Sequence, residues 1–179
     1  MRIGKADGLL FSSGSNGSPG HLAAAILGES TGVKVTHVPY KGNSPAVLAV
    51  LSGEVQAGIL ATPGMLPHVK AGKITALAVT SKQRSQIAPD LPTVAEAGMK
   101  DLEVEVLYVA MVPAATPEPV MAVLQKAIAD ALAQPDVKAQ LARLDMFVEG
   151  LTGAAATERL RAQGERYARI IKNTGMKIE

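Results

Sequence analysis

The sequence predicts an α/β fold in which a mainly parallel sheet is flanked by helices. Short apolar runs alternate with stretches of helical spacing, and Pro or Gly stands at nearly every boundary. Three hydroxyl-Pro pairs, Ser18-Pro19, Ser44-Pro45 and Thr62-Pro63, each follow a strand-like run. Such pairs start helices, because Ser or Thr caps the free amides and Pro loses nothing at the first helical position.

The elements follow in order. "GLLFSS" (8–13) reads as a buried strand. Ser18 caps a helix whose Leu22, Ala25, Ile26 and Glu29 fall at helical spacing and which Gly32 stops. "VKVTHV" (33–38) is the next strand, and a short helix runs from Ser44-Pro45 to Gly53. "VQAGILA" (55–61) is a strand, Thr62-Pro63 opens a helix ending at Gly72, and "ITALAVT" (74–80) is a further strand. Thr93 to Glu96 fits a capping box. A β-branched run covers Glu103 to Val112, and Thr116-Pro117 starts a helix with Val120, Val123, Leu124, Ala127 and Ile128 on one face. A helix from Pro135 to about Leu144, a short strand at Met146–Glu149 and a last helix from Thr152 to Asn173 complete the chain.

Composition narrows the function. With 179 residues, 47% of them apolar, the chain can bury one ordinary core or two small lobes. A net charge of +2, no dense basic run and 3% aromatics argue against nucleic acid as a partner. No Cys is present, which removes disulfides, thiolate metal sites and cysteine nucleophiles. The apolar stretches fall short of the roughly 18 residues a membrane span needs, and "MRIGKADGLL" lacks the apolar centre of a secretory signal.

In a parallel sheet, helices that follow strands all begin at the carboxyl edge. The three hydroxyl-Pro starts would therefore meet there, each with unpaired amides and the positive end of a helix dipole. One helix end contributes only about 0.3–1 kcal/mol, so an anion site needs several to converge. Gly14 and Gly17 do not complete G-x-G-x-x-G and no P-loop follows, which favours a small carboxylate over a nucleotide. His21, in the first helical turn, can donate to a bound anion or pack locally, and Lys41, beside Tyr40, can enter the crevice or stay solvated. His21, His37 and His68 lack metal-ligand spacing. A serine of 12–18 paired with His21 or His37 would be the candidate esterase or phosphatase dyad, yet G-x-S-x-G is absent.

Five blocks, "SSGSNGSPGHLAAAIL", "VTHVPYKGNSPAVLAVLSGEVQAGI", "LPHVKAGKITALAVTSKQRS", "PDLPTVAEAG" and "YVAMVPAATPEPVMAVLQKAI", resemble in this order the second half of the tripartite tricarboxylate transporter substrate-binding proteins, the TctC or Bug family. The resemblance runs from about Leu9 to the C-terminus. It implies a type II periplasmic-binding-protein-like lobe with part of a second lobe: 1–103 a ligand-binding lobe, 104–150 a return segment of the first lobe, and 151–179 a C-terminal helix. It also implies a periplasmic receptor that binds a small carboxylate without chemistry, cofactor or metal and delivers it to membrane permease subunits. The implied ligand residues are Ser12, Ser13, Gly14, Asn16, Ser18 and His21 in the first loop, Tyr40, Lys41 and Gly42 in the second, and Thr62 at the third helix start.

Two departures from the family pattern matter. Many members carry an acidic residue after the strand that here reads "VQAGILATPG", where this chain has Leu60 and Ala61, which favours a plain carboxylate over an amino acid. The family's first lobe, with its apolar-Pro-Gly-Gly loop, has no counterpart ahead of Leu9 in these residues. Segment 104–150 would then lack its sheet neighbours and invite pairing with another copy of the chain. The alternative to a receptor is thus a fragment that forms a homodimer, exchanging that segment, with no competent ligand site.

Overall fold

The computed structural model describes residues 8–176. Its centre is a three-stranded parallel sheet in the order β2-β1-β3. β1 (Leu9–Ser13) lies in the middle, β2 (Val35–Pro39) on one side and the two-residue β3 (Ala57–Gly58) on the other. Between β1 and β2 runs α1 (Pro19–Thr31), and between β2 and β3 runs α2 (Asn43–Ser52). Strand order reverses at β1, so the loops leaving β1 and β3 flank the crevice where open α/β sheets bind ligands.

Alternation along β1 decides which helix covers which face. Leu9 and Phe11 cluster with Ala24 of α1, with Val33, Val35, Ala57 and Ile59 packed around them. Ser12 points the other way, its hydroxyl donating to the Ala46 carbonyl of α2 at 3.3 Å. The second core cluster joins Leu22, Ala23 and Ile26 of α1 to Val94, Leu102 and Val104, and Tyr167, Ile170 and Ile171 of the last helix cover it.

Helix starts follow the hydroxyl-Pro signals with small shifts. α1 behaves as expected: Ser18 accepts from the His21 amide, Pro19 is first, and Gly32 at φ 66° closes the end by donating to Gly28. α2 starts at Asn43, one residue before Ser44, with Gly42 at φ 105° as its cap. Pro45 stays inside the first turn, where no amide is needed. α3 (Thr62–Lys70) takes Thr62 as its first residue, with Ala61 as the cap, and ends before Ala71.

Beyond α3 the expected strands do not form. Residues 74–80 contribute a single parallel bridge, Val79 to Thr93, and Thr80 accepts from the Val104 amide at 3.1 Å. Thr93 and Glu96 make both capping-box bonds, at 2.7 and 3.1 Å, over a turn instead of a helix. A short 3₁₀ turn (Lys100–Leu102) follows. Neither 103–112 nor 146–149 is a strand. Helices α4 (Glu118–Ala133), α5 (Pro135–Arg143) and α6 (Gly153–Thr174) are present, but α4 and α5 bury no residue.

Residues 104–151 leave and rejoin the core side by side, and within them Asp145 and Met146 also accept from Gln86 at 2.8 and 3.0 Å. Arg159 of α6 binds Glu105 at 2.9 Å and Glu149 at 3.1 Å, pinning both ends of the excursion. Tyr167 and Gln163 of α6 donate to the Glu105 carbonyl, and the Tyr167 hydroxyl accepts from the Glu105 amide. Among the described residues no helix is long and apolar enough to cross a membrane.

Candidate functional site

Three loops meet at the carboxyl edge of the sheet. The loop after β1 touches the loop after β2: the Gly42 amide donates to the Gly14 carbonyl at 2.8 Å, and the Tyr40 amide to the Ser13 carbonyl at 3.0 Å. Gly14 lies in ordinary van der Waals contact with the Gly42 backbone. Asn43 joins the second and third loops, accepting from the Ala61 amide at 2.8 Å while its amide nitrogen lies against Gly64. The starts of α1, α2 and α3 thus converge, as the parallel-sheet argument requires.

Beneath the first loop lies a hydroxyl and imidazole network. Ser13, fully buried, places its Oγ 2.6 Å from His37 Nε2, 3.0 Å from the Ser15 carbonyl and 3.1 Å from Ser18 Oγ. Ser18 Oγ also reaches the Ser15 carbonyl at 2.7 Å. The Gly17 amide donates to His21 Nδ1 at 3.2 Å, and the His21 and His37 rings stack with centroids 3.8 Å apart. Burial, and then the proximity of His21, pushes His37 down to about 4, and burial also lowers His21. Both rings are therefore neutral near pH 7.

Above this network the amides of Gly14, Ser15 and Asn16 find no acceptor among the described residues. Among the described residues no carboxylate binds the first loop. A cluster of three or more metal-ligating side chains is absent among the described residues. The arrangement offers donors to an oxyanion and places no acid beside His37 to orient it as a base.

Residues 4–176 match the family model described as the tripartite tricarboxylate transporter family receptor. The chain belongs to this TctC receptor family. Against an Agrobacterium vitis relative, the UPF0065 protein in the TAR-I ttuE-ttuC' intergenic region, identity is 33% over 168 residues. That alignment covers 92% of this chain and 49% of the relative, so the chain spans about half the relative's length. The solved periplasmic binding protein BugD is 29% identical with a TM-score of 0.79, over 97% of this chain and 59% of that one. R. palustris Rpa4515 with adipate is 29% identical with a TM-score of 0.75, covering 93% and 56%. The expected α/β periplasmic-binding-protein fold is therefore the observed one.

Within this TctC-family chain the residues chosen from the sequence differ in where they point. Gly14, Asn16, Ser18, Gly42 and Thr62 stand at the converging loops, Asn16 exposed at the tip of the first. Lys41 is exposed on the second loop. Ser12 and Ser13 are fully buried, and their hydroxyls serve the protein itself. Tyr40 turns away, its phenol donating to Glu54 at 2.8 Å beyond the end of α2. His21 uses Nδ1 to accept from the loop, which leaves Nε2 as its donor atom.

Asn43 is not singled out by the sequence and His37 only as the base of a candidate dyad, and both help shape the site. Asn43 is the first residue of α2 behind the Gly42 cap and makes no capping bond, so its link to the third loop has no local signal. His37 acts through the register that sets it opposite Phe11, two residues from Ser13, and no local pattern reveals that.

Proposed function

We propose that this chain is the ligand-binding lobe of a periplasmic receptor, taking a small carboxylate at the carboxyl edge of β1 without covalent chemistry. The observation that carries the reading is the row of unpaired amides at Gly14, Ser15 and Asn16 beside the α1 start. A carboxylate there would accept charge-assisted hydrogen bonds while Lys41 supplies a nearby cation. The adipate held by Rpa4515 fits the same ligand class. Membership of the transporter receptor family supports delivery to membrane permease subunits as part of this reading. Leu60 and Ala61 at the third loop give an ammonium no partner, which favours acids without an amino group.

A close Ser13–His37 contact resembles a nucleophile and its base, but the Ser13 hydroxyl is sealed from solvent. Calorimetric titration of the 179-residue chain with adipate and a panel of other di- and tricarboxylates tests the binding reading. Heat for one of these acids, lost when Lys41 and Asn16 are replaced by Ala together, supports it. Silence from every acid with folded protein removes it, and ester turnover abolished by Ser13→Ala would replace it with an enzyme.

A second observation bears on assembly. From Val106 to Leu151 many large apolar side chains are exposed, among them Tyr108, Met111, Val123, Ile128 and Phe147. In a two-lobe receptor the return segment 104–150 would be covered by first-lobe polypeptide. In the 179-residue chain alone we propose that it closes on a second copy, since the unpaired run "VLYVAMV" carries no charge to oppose self-pairing. Light scattering at micromolar concentration should give a dimer, and a monodisperse monomer would overturn this.

A further inference from the structure

We propose that His37 is a positioning residue of the ligand loop: through Ser13, and through the face of His21, it holds residues 14–18 in the shape that leaves three amides open to an anion. The importance of that shape for binding rests on the carboxylate reading, but the latch itself does not.

Proton bookkeeping supports the assignment. Gly17 donates to His21 Nδ1, so that nitrogen carries no proton and neutral His21 is the Nε2–H tautomer. Ser13 and Ser18 have one hydroxyl proton each and three contacts between them and the Ser15 carbonyl. The arrangement that uses every donor has His37 Nε2–H donating to Ser13, with both hydroxyls donating to the Ser15 carbonyl. The Ser18 oxygen then accepts from the His21 amide at 3.3 Å. Ser15 and Gly17, the two backbone points that define the loop, are thus held from below by side chains of β1, β2 and α1.

The latch needs neutral rings. A proton on His21 Nδ1 would face the Gly17 N–H, donor against donor, and a second cation in a stack 3.8 Å apart would repel the first. A cavity of about 460 Å³ opens beside the two rings between α1, β2 and the end of α6. Glu29 of α1 is the charged side chain that lines it, α6 contributes Asn173 and Thr174, and β2 contributes Val35. Burial keeps both rings in the required neutral form.

Nitrogen-15 NMR of the labelled 179-residue chain near pH 7 tests this, because ring shifts report which nitrogen bears the proton. The expected result is Nε2–H for both rings. His37→Ala should speed exchange of the Gly17 amide by about tenfold or more, and weaken adipate binding by about tenfold. His37→Gln, which restores an N–H donor toward Ser13, should recover most of the slow exchange. An Nδ1–H tautomer at His21 overturns the proposal, as does Gly17 exchange that His37→Ala leaves unchanged. If His37→Ala fails to fold, the wild-type tautomers and His37→Gln decide, and a Gln variant with fast Gly17 exchange sinks the latch. Slow exchange and the expected tautomers, with no carboxylate bound, would leave the latch standing and remove the carboxylate reading.

Discussion

Residues 9–59 and residues 104–151 carry similar apolar material and meet opposite fates. In the first region Phe11 is 3% exposed and Ala23 not at all, whereas in the second Tyr108 is 77% exposed and Met111 75%. The run Glu103–Val112 is richer in β-branched residues than β1, yet β1 is the strand. What differs is company: β1 has β2 and β3 on its two edges and α1 and α2 on its two faces, and the later run is held only at its start, where Val104 and Glu105 meet α6, Thr80, Lys82 and the core beside α1. β propensity measures fit to neighbours, and without neighbours it forms nothing.

The largest expected effect breaks the comparison at its base. Phe11→Ala should destabilise the chain by about 3–5 kcal/mol, while Gln125→Ala on the polar side of α4 should stay within about 0.5 kcal/mol, both read by urea denaturation. Equal losses would mean that this side of α4 is buried in solution. Next comes Gly20→Ala. A methyl group there would meet the Ile59 carbonyl and Ser13 Cβ, each at 2.8 Å, so a cost of about 1–3 kcal/mol is expected in the same assay.

Acid should sharpen the contrast by weakening the first region alone. His37 is held below its ordinary value, at about 4, so between about pH 6.5 and 4 the unfolded chain binds a proton that the folded chain refuses. That contribution is intact above this window and declines as pH falls through it. Discounted for partial exposure, it amounts to about 1–2 kcal/mol. Thermal melts over this range should show the decline in the wild type and less of it in His37→Gln. A smaller loss is expected at Thr93→Ala, which removes one capping-box bond and should cost about 1 kcal/mol by the same urea assay.

How much was legible in the sequence follows the same division. The hydroxyl-Pro pairs located α1, α2 and α3 to within a residue or two, because a capped helix start is a local event. Convergence of those starts followed from parallel topology alone. The strand expected at 74–80 failed since Leu77, 80% exposed, has nothing to pair or pack with. Buried Ser13 was expected to face a ligand and instead serves as the hub of the latch, because its partner His37 lies 24 residues away and meets it only through strand register.

One guanidinium gripping Glu105 and Glu149 gives the molecule a narrow neck. Everything between those two carboxylates could be cut out and its ends bridged by a short Gly-Ser link without stretching the remaining polypeptide, since the two stumps already sit side by side. The same closeness makes the excursion portable: grafted between equivalent stalks of a related lobe, it would carry its apolar faces along and leave the host's ligand rim unaltered.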